Sequence, residues 1–168
     1  MTYDERVSSA YDAARRDEPQ ATFTMWMERF AHHAGERRPL SVLDLGSGTG
    51  KFSPALADAF GGPVVAVEPS SHMRAIAERD RAHPRVTYLD GSADRIPLAD
   101  GAVDLVLLFC VLQHVADRAA AAVAIARVLG PGGRVLVVNH FRGEPTPRAW
   151  SAYFPAAREI EERSLPTI

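Results

Sequence analysis

The feature that most constrains this chain is a short apolar run that passes directly into a glycine-rich turn. Residues 40–45 read LSVLDL, and GSGTG follows at once. Such a run is typical of a buried strand that enters a tight turn. Glycines permit positive φ and leave no Cβ between the turn and a ligand, and a helix that starts next directs unpaired N–H groups into the same space. The segment therefore predicts a ligand-binding turn that favours an anionic group.

Four further apolar runs alternate with helical patterns along the chain. The runs are VVAV at 64–67, RVTYL at 85–89, AVDLVLLF at 102–109 and RVLVVN at 134–139. Helices are predicted at 51–60, after Ser70 as a cap to about Arg79, and after Asp117 as a cap to near Leu129, where a glycine-proline turn ends the helix. This alternation predicts an α/β fold with a doubly wound parallel sheet covered on both faces.

Both ends of the chain are predicted to be helical. Large apolar residues recur at helical spacing over residues 8–34, and Pro19 divides that region into two helices. Residues 147–163 also favour a helix. A chain of 168 residues suggests a single domain, with N-terminal helices at 1–36, a core at 37–141 and a C-terminal helix at 142–168.

Composition narrows the possible partners and the compartment. The net charge of -2 and the pI near 6.3 give no bulk attraction to nucleic acid or to an anionic membrane. Cys110 is the only cysteine, which fits a reducing compartment, and no apolar stretch reaches membrane-spanning length. We therefore expect a cytoplasmic location, with neither nucleic acid nor a membrane as partner, and no metal-ligand cluster is recognisable in the sequence.

The spacing of the glycines bears on the choice of ligand. A dinucleotide fingerprint requires G-x-G-x-x-G, but Lys51 stands at the third glycine position and Gly50 comes one residue early. Glu68 ends the second apolar run, about twenty residues after the turn, where an acid accepts hydrogen bonds from ribose hydroxyls. A nucleoside ligand is favoured, and a nicotinamide-dependent oxidoreductase is disfavoured.

Four segments resemble motifs of class I S-adenosylmethionine-dependent methyltransferases, in the branch called methyltransferase type 11. These are LDLGSGTG at 43–50, EPSSHM at 68–73, LDGSADRIPLADGAVDLVLLFCVLQHV at 89–115 and GPGGRVLVVNHF at 130–141. They occur in the order and spacing of the family. The resemblance implies a Rossmann-like fold with strand order 3-2-1-4-5, S-adenosylmethionine as cofactor and methyl transfer to a small-molecule acceptor.

The resemblance also assigns site residues. Glu68 would hold the ribose, Met73 would lie near the adenine or ribose, and Ser92 with the backbone of Ala93 would flank the adenine edge. Many members carry aspartate where this chain has Ser92, and Asp90 is a nearby substitute. The full set of expected cofactor contacts is Tyr11, Arg15, Asp44, Gly46, Ser47, Gly48, Gly50, Glu68, Pro69, Met73, Ser92, Ala93 and Phe109.

Backbone carbonyls at the end of the fourth strand complete the site that the resemblance implies. Phe109 and Cys110 would meet the methionine ammonium through the main chain. Tyr11 and Arg15 belong to an N-terminal helix that folds over the cofactor in many members; the alternative for both is ordinary packing on a solvated helix. Asp104 is expected to tie the fourth strand to neighbouring loops.

Catalysis of methyl transfer asks little of protein side chains. The reaction is an in-line displacement at an activated carbon, so no enzyme nucleophile is needed, and Cys110 is disfavoured in that role. A general base is needed only when the acceptor loses a proton. His114 is the candidate base, with loop support as its alternative role, and His140 is the second candidate.

The family normally has seven strands, whereas this chain carries patterns for five. We therefore expect either a truncated domain or a fifth strand whose unpaired side is covered by a second copy in a homodimer or by the chain's own tail. A shortened domain also leaves open a rival function, namely a cofactor-binding or interaction domain without methyl transfer.

Overall fold

The computed structural model describes residues 8–10, 12–13 and 19–139. Tyr11, Arg15, His140 and the helix predicted at 147–163 lie outside the described residues. The helices are α1 (Gln20–Ala34), α2 (Ser53–Phe60), α3 (Ser71–Asp80) and α4 (Arg118–Val128). The strands are β1 (Leu40–Leu45), β2 (Gly61–Val67), β3 (Val86–Leu89), β4 (Val103–Phe109) and β5 (Leu129–Val138).

The five strands form one parallel sheet in the order β3-β2-β1-β4-β5. This confirms the predicted doubly wound fold and its strand order. Because all strands run the same way, their carboxyl ends meet at one end of the sheet. The order reverses between β1 and β4, and ligands of open α/β sheets bind in the crevice outside such a reversal.

Alternating side chains of the central strands feed two separate cores. On one face, Val42 and Leu105 pack with Leu56 and Phe60 of α2 and with α1. On the other face, Leu43, Leu45 and Val106 pack against α4. Full burial of such side chains contributes about 1.5–3 kcal/mol each. The two covered faces hold the central strands in place and thereby fix the position of the loops at their carboxyl ends.

Two strands begin earlier than the sequence predicts, because glycines serve as strand residues. β2 starts at Gly61, three residues before the predicted run at 64–67, and a Cβ on Gly62 would collide with the Leu40 carbonyl oxygen. β5 starts at Leu129, which pairs with Val103, so the predicted glycine-proline turn lies inside the strand. Neighbouring backbones approach these strand starts so closely that glycine is required. From the sequence pattern alone, the same glycines indicate a turn.

Arginine and aspartate side chains tie loops together at the amino end of the sheet. Asp104 accepts a hydrogen bond from the Ser41 backbone N–H (2.9 Å) and pairs with Arg37 (2.9 Å). Arg127 donates to the carbonyls of Ile96 and Leu98 and pairs with Asp100. The structural role predicted for Asp104 is the one observed.

The predicted helix caps are also observed. The Ser70 hydroxyl accepts from the Met73 N–H (3.3 Å), and the Asp117 carboxylate accepts from the Ala120 N–H (2.9 Å). α1 begins directly after Pro19, as predicted.

The outer strand of the described sheet leaves apolar side chains in solvent. Val135 is 39% exposed and Val137 is 43% exposed, and both lie on β5. Pairing of this strand with a second copy or with the chain's own tail stays a prediction. None of the described helices is both long and apolar enough to cross a bilayer.

Candidate functional site

The loop after β1 is held at the carboxyl end of the sheet by backbone hydrogen bonds. Gly46, Gly48 and Gly50 have φ values of 73°, 58° and 75°. The N–H groups of Gly46 and Ser47 donate to the Val67 carbonyl at 2.8 and 3.1 Å. This left-handed backbone is one that glycine adopts without strain. The loop is therefore a fixed element at the point where the strand order reverses.

The glycines are needed for different reasons. A Cβ on Gly46 would lie 2.6 Å from a Val111 methyl group, and one on Gly50 would lie 2.7 Å from the Tyr88 hydroxyl. A Cβ on Gly48 would meet only the Met73 sulfur, at 3.7 Å. The sequence predicts that all of them clear space for a ligand. In the structure, Gly46 and Gly50 instead let neighbouring side chains approach, and Gly48 alone borders open space.

Glu68 points inward from the end of β2 toward this loop. Its side chain is 7% exposed, and its two carboxylate oxygens accept from the N–H groups of Gly48 (3.0 Å) and Ser70 (2.9 Å). Burial raises the pKa of the carboxyl, and the two backbone hydrogen bonds oppose that change. Each oxygen still has a lone pair to offer, which is the acceptor set that two ribose hydroxyls require.

Asp44 lies beneath the loop. It is 4% exposed, and its Oδ2 accepts from the Ser53 hydroxyl at 2.7 Å. Burial raises the pKa of Asp44 to about 6, and the charge of Glu68 acts in the same direction. The structure thus keeps the carboxyl groups of Asp44 and Glu68 buried near the same loop, although burial disfavours the charged form of each.

The donors in the loop fit the carboxylate of a methionine group. The Ser47 hydroxyl is buried and has no hydrogen-bond partner among the residues that the structure describes. α2 begins just beyond the loop without a side-chain cap, and its second residue, Pro54, has no N–H, so an anion at this helix start would meet only the remaining N–H groups of the first turn. An unsatisfied hydroxyl and an uncapped helix start supply what the amino-acid end of S-adenosylmethionine needs.

The turn after β3 arranges the residues predicted to meet the adenine. Ser92 and Arg95 exchange backbone hydrogen bonds, and the Ser92 hydroxyl donates to Asp94 at 2.6 Å, which holds the pKa of Asp94 below its usual value. Asp90, the predicted substitute, is exposed and pairs with Arg74 at 2.7 Å. The carboxylate beside Ser92 is therefore that of Asp94.

The remaining predicted contacts on this side of the crevice differ in exposure. Ala93 and Met73 are buried, whereas Pro69 is exposed between Glu68 and the start of α3. Their contact with a cofactor stays a prediction.

The chain turns sharply where β4 ends. Cys110 has a φ of 57°, and its N–H donates to the Val138 carbonyl at 2.7 Å. The Cys110 carbonyl, predicted to face the methionine ammonium, accepts a 2.6 Å hydrogen bond from Nε2 of Gln113. Sequence reasoning missed Gln113, although it directly precedes His114 in the segment that resembles the family motif.

His114 ends a 3₁₀ turn, Leu112–His114, at the same end of the sheet. The residue as a whole is exposed, but its ring is partly buried, and this burial lowers the pKa of the imidazole. Its Nε2 lies 3.3 Å from Nε2 of Gln113. A neutral imidazole near the crevice suits a general base, and that role stays a prediction.

The fold is a Rossmann-like α/β domain, and buried carboxyls and hydrogen-bond donors gather at the carboxyl end of its sheet. A family model described as a methyltransferase domain matches residues 43–137. Because the match covers more than half of the sequence, the chain belongs to this family. The cofactor of the family is S-adenosylmethionine.

Individual relatives agree with this assignment. The chain is 32% identical to a ubiquinone/menaquinone biosynthesis C-methyltransferase of Rubrivivax gelatinosus, over 86% of this chain and 55% of the relative. It is 38% identical to a demethylmenaquinone methyltransferase of Beutenbergia cavernae, over 80% of this chain and 57% of the relative. The chain thus spans little more than half the length of these proteins.

A solved structure supports the fold independently. A protein from Methanococcus maripaludis, described as an S-adenosyl-L-methionine-dependent methyltransferase, superimposes with a TM-score of 0.81. The alignment covers 98% of this chain and 78% of that protein at 22% sequence identity. At that identity the likeness is one of fold.

Proposed function

We propose that this chain is the cofactor-binding core of an S-adenosylmethionine-dependent methyltransferase that acts on a small-molecule acceptor. The observation that carries the proposal is the inward orientation of Glu68. Its buried carboxylate lies beside Gly48, where a ribose at the carboxyl end of β2 would meet it. The unpartnered Ser47 hydroxyl in the same loop supports a ligand with an anionic tail.

We propose a separate role for each group at the site. When bound, S-adenosylmethionine would supply an activated methyl group to the acceptor, with S-adenosylhomocysteine as the leaving group. Glu68 holds the ribose, Ser47 and the start of α2 bind the carboxylate, and the turn at Ser92 borders the adenine. Fixed alignment of this kind contributes several kcal/mol to such a displacement.

We also propose that the acceptor contains an aromatic ring. Phe23 stacks on Phe52 with ring centroids 5.3 Å apart, and Phe109 contacts both Phe52 (4.8 Å) and Trp26 (5.2 Å). Phe109 ends β4 and Phe52 follows the glycine loop, and both belong to the core between the sheet and α1, so the carboxyl end of this core is aromatic. The names of the two relatives above, both quinone-biosynthesis methyltransferases, support the same class of acceptor.

In this proposal His114 accepts the proton that an aromatic carbon or hydroxyl releases on methylation. The lowered pKa of its ring keeps the imidazole neutral at pH 7, the state in which it accepts a proton.

Isothermal calorimetry separates the candidate functions. We expect binding of S-adenosylhomocysteine in the micromolar range and none of NAD. Turnover with S-adenosylmethionine and a panel of phenols and hydroquinones then distinguishes an enzyme from a binding domain. Tight binding without turnover of any acceptor would favour the domain without methyl transfer, and preference for NAD would refute both.

A further inference from the structure

The turn that follows β4, residues 110–114, contains a backbone conformation that calls for an explanation. Cys110 has a φ of 57°, in the left-handed region that non-glycine residues adopt rarely. Such conformations persist where surrounding contacts impose them, and they concentrate at functional sites. This turn lies directly against the glycine loop, because Val111 occupies the space that a Cβ on Gly46 would need.

The side chain of Gln113 holds this turn from within. Its Nε2 donates to the Cys110 carbonyl at 2.6 Å, while the Cys110 N–H donates to Val138 at 2.7 Å. The hydrogen bond also fixes the orientation of the amide, since the flipped amide would place oxygen against oxygen. Cys110 is thus held on both sides of its strained backbone.

The other atom of the same amide has no partner among residues 19–139. Oε1 of Gln113 is buried, and no donor in that part of the chain reaches it. Buried acceptors are nearly always hydrogen-bonded, and an exception calls for a missing partner. The missing partner must be a donor.

We propose that Gln113 is a positioning residue for the amino-acid end of the cofactor. Its N–H keeps Cys110 left-handed and so sets the direction of the strand-end carbonyls, and its Oε1 accepts a hydrogen bond from the cofactor's ammonium group. The inference rests on the proposed function, because it presupposes that S-adenosylmethionine occupies the crevice. It adds a side chain whose role sequence reasoning did not anticipate.

A truncated ligand tests which end of the cofactor Gln113 serves. S-adenosylhomocysteine carries the amino-acid group, and 5′-methylthioadenosine lacks it while keeping the adenosine and the sulfur. For Gln113→Met, a near-isosteric side chain without hydrogen bonds, we expect affinity for S-adenosylhomocysteine to fall about tenfold or more. Affinity for 5′-methylthioadenosine should change less than about twofold in the same calorimetric titrations.

A second variant separates the backbone role from simple loss of stability. Glycine adopts a positive φ without strain. Adding Cys110→Gly to Gln113→Met should therefore restore part of the lost affinity for S-adenosylhomocysteine. Gln20→Met serves as the control, because Gln20 is exposed at the start of α1 and its loss should leave both affinities unchanged.

The outcomes are distinguishable. The inference would be overturned if Gln113→Met lost affinity for both ligands equally, or for neither. It would also be overturned if the added Cys110→Gly restored none of the affinity for S-adenosylhomocysteine. If thermal unfolding shows that Gln113→Met is not folded, Gln113→Asn, whose amide is one methylene too short to reach Cys110, replaces it with the same expectation. Absence of binding by the unmodified protein would instead refute the proposed function.

Discussion

The two ends of the sheet are built on opposite principles. At the amino end, Asp104 is matched by Arg37 and by the Ser41 N–H, and Arg127 by carbonyls and Asp100. At the carboxyl end, Asp44 and Glu68 are buried with raised pKa values. The Ser47 hydroxyl and the Gln113 oxygen are buried there, and no described residue donates to or accepts from them. The amino end therefore carries matched charges, whereas the carboxyl end combines ion pairs such as Arg74–Asp90 with buried polar groups that lack partners among the described residues.

The contrast separates residues that stabilise the fold from residues that await a ligand. Burial of an unpaired polar group costs about 1–3 kcal/mol, so a fold keeps such groups only where something else uses them. Strain follows the same division, since the left-handed Cys110 lies at the carboxyl end. We expect changes at this end to alter binding, and changes at the amino end to alter stability alone.

The largest effect is expected from Gly46→Ala. The new Cβ would lie 2.6 Å from Val111 at a φ of 73°, so overpacking adds to backbone strain and lowers the free energy of unfolding by about 2–5 kcal/mol. Cofactor binding should be lost. Urea unfolding and calorimetry provide the measurements.

Gly132→Ala is the matched control. Gly132 has a φ of 74°, yet a Cβ there would meet nothing within 4 Å. Only the strain of about 1 kcal/mol should remain. Similar losses in the two variants would show that the contact with Val111 is unimportant.

Glu68→Gln should come next and should act on binding. Loss of a charge-assisted hydrogen bond to a ribose hydroxyl raises the Kd for S-adenosylhomocysteine about 10- to 100-fold. Asp104→Asn, the counterpart at the amino end, should leave the Kd within about twofold and lower the stability by about 1–2 kcal/mol. Equal effects of both changes on the Kd would erase the distinction between the two ends.

Asp44→Asn tests the cost of burying an acid. The pKa of Asp44 rises from 3.8 to about 6 on folding, so the native state binds this proton more tightly than the unfolded chain does. The contribution to stability is therefore present at low pH and is lost as the pH rises through 6. Between pH 5 and pH 8 the unmodified protein should lose about 1–2 kcal/mol more than Asp44→Asn. Parallel pH profiles from denaturant unfolding would contradict this assignment.

The smallest effect is expected from Arg37→Ala. The arginine side chain is 67% exposed, and Asp104 keeps its hydrogen bond to Ser41 when the ion pair is removed. Exposed pairs contribute less than about 1 kcal/mol. A larger change in the thermal unfolding midpoint than in Asp104→Asn would mean that the ion pair, and not the backbone hydrogen bond, secures the amino end.

Much of the fold follows from patterns that are local in the sequence. The apolar runs at β1 and β4 and the caps at Ser70 and Asp117 are each contained within a few residues, so all were predictable. The early starts of β2 and β5 were not, because they depend on how closely Gly62 in β2 and Gly133 in β5 approach neighbouring backbone. Without knowledge of the neighbouring strand, a glycine indicates a turn. Only the strand pairing identifies it as a strand residue.

The same limit applies to the site. Residues at strand ends, such as Glu68, were predictable because the topology of a parallel sheet brings those ends together. The need for glycine at position 46 was not predictable, because it depends on the nearby Val111 side chain. The hydrogen bond from Gln113 to the Cys110 carbonyl was not predictable either. Contacts between loops that are distant in the sequence leave no periodic signal.

The proposed function depends most directly on where the nucleoside binds, and a crystal structure with S-adenosylhomocysteine tests this. We predict that both ribose hydroxyls will lie within hydrogen-bonding distance of Glu68, with the amino-acid end over the glycine loop between Ser47 and the turn that follows β4. Density for the ligand elsewhere, or a crevice closed by side chains with Glu68 still bonded only to Gly48 and Ser70, would contradict it.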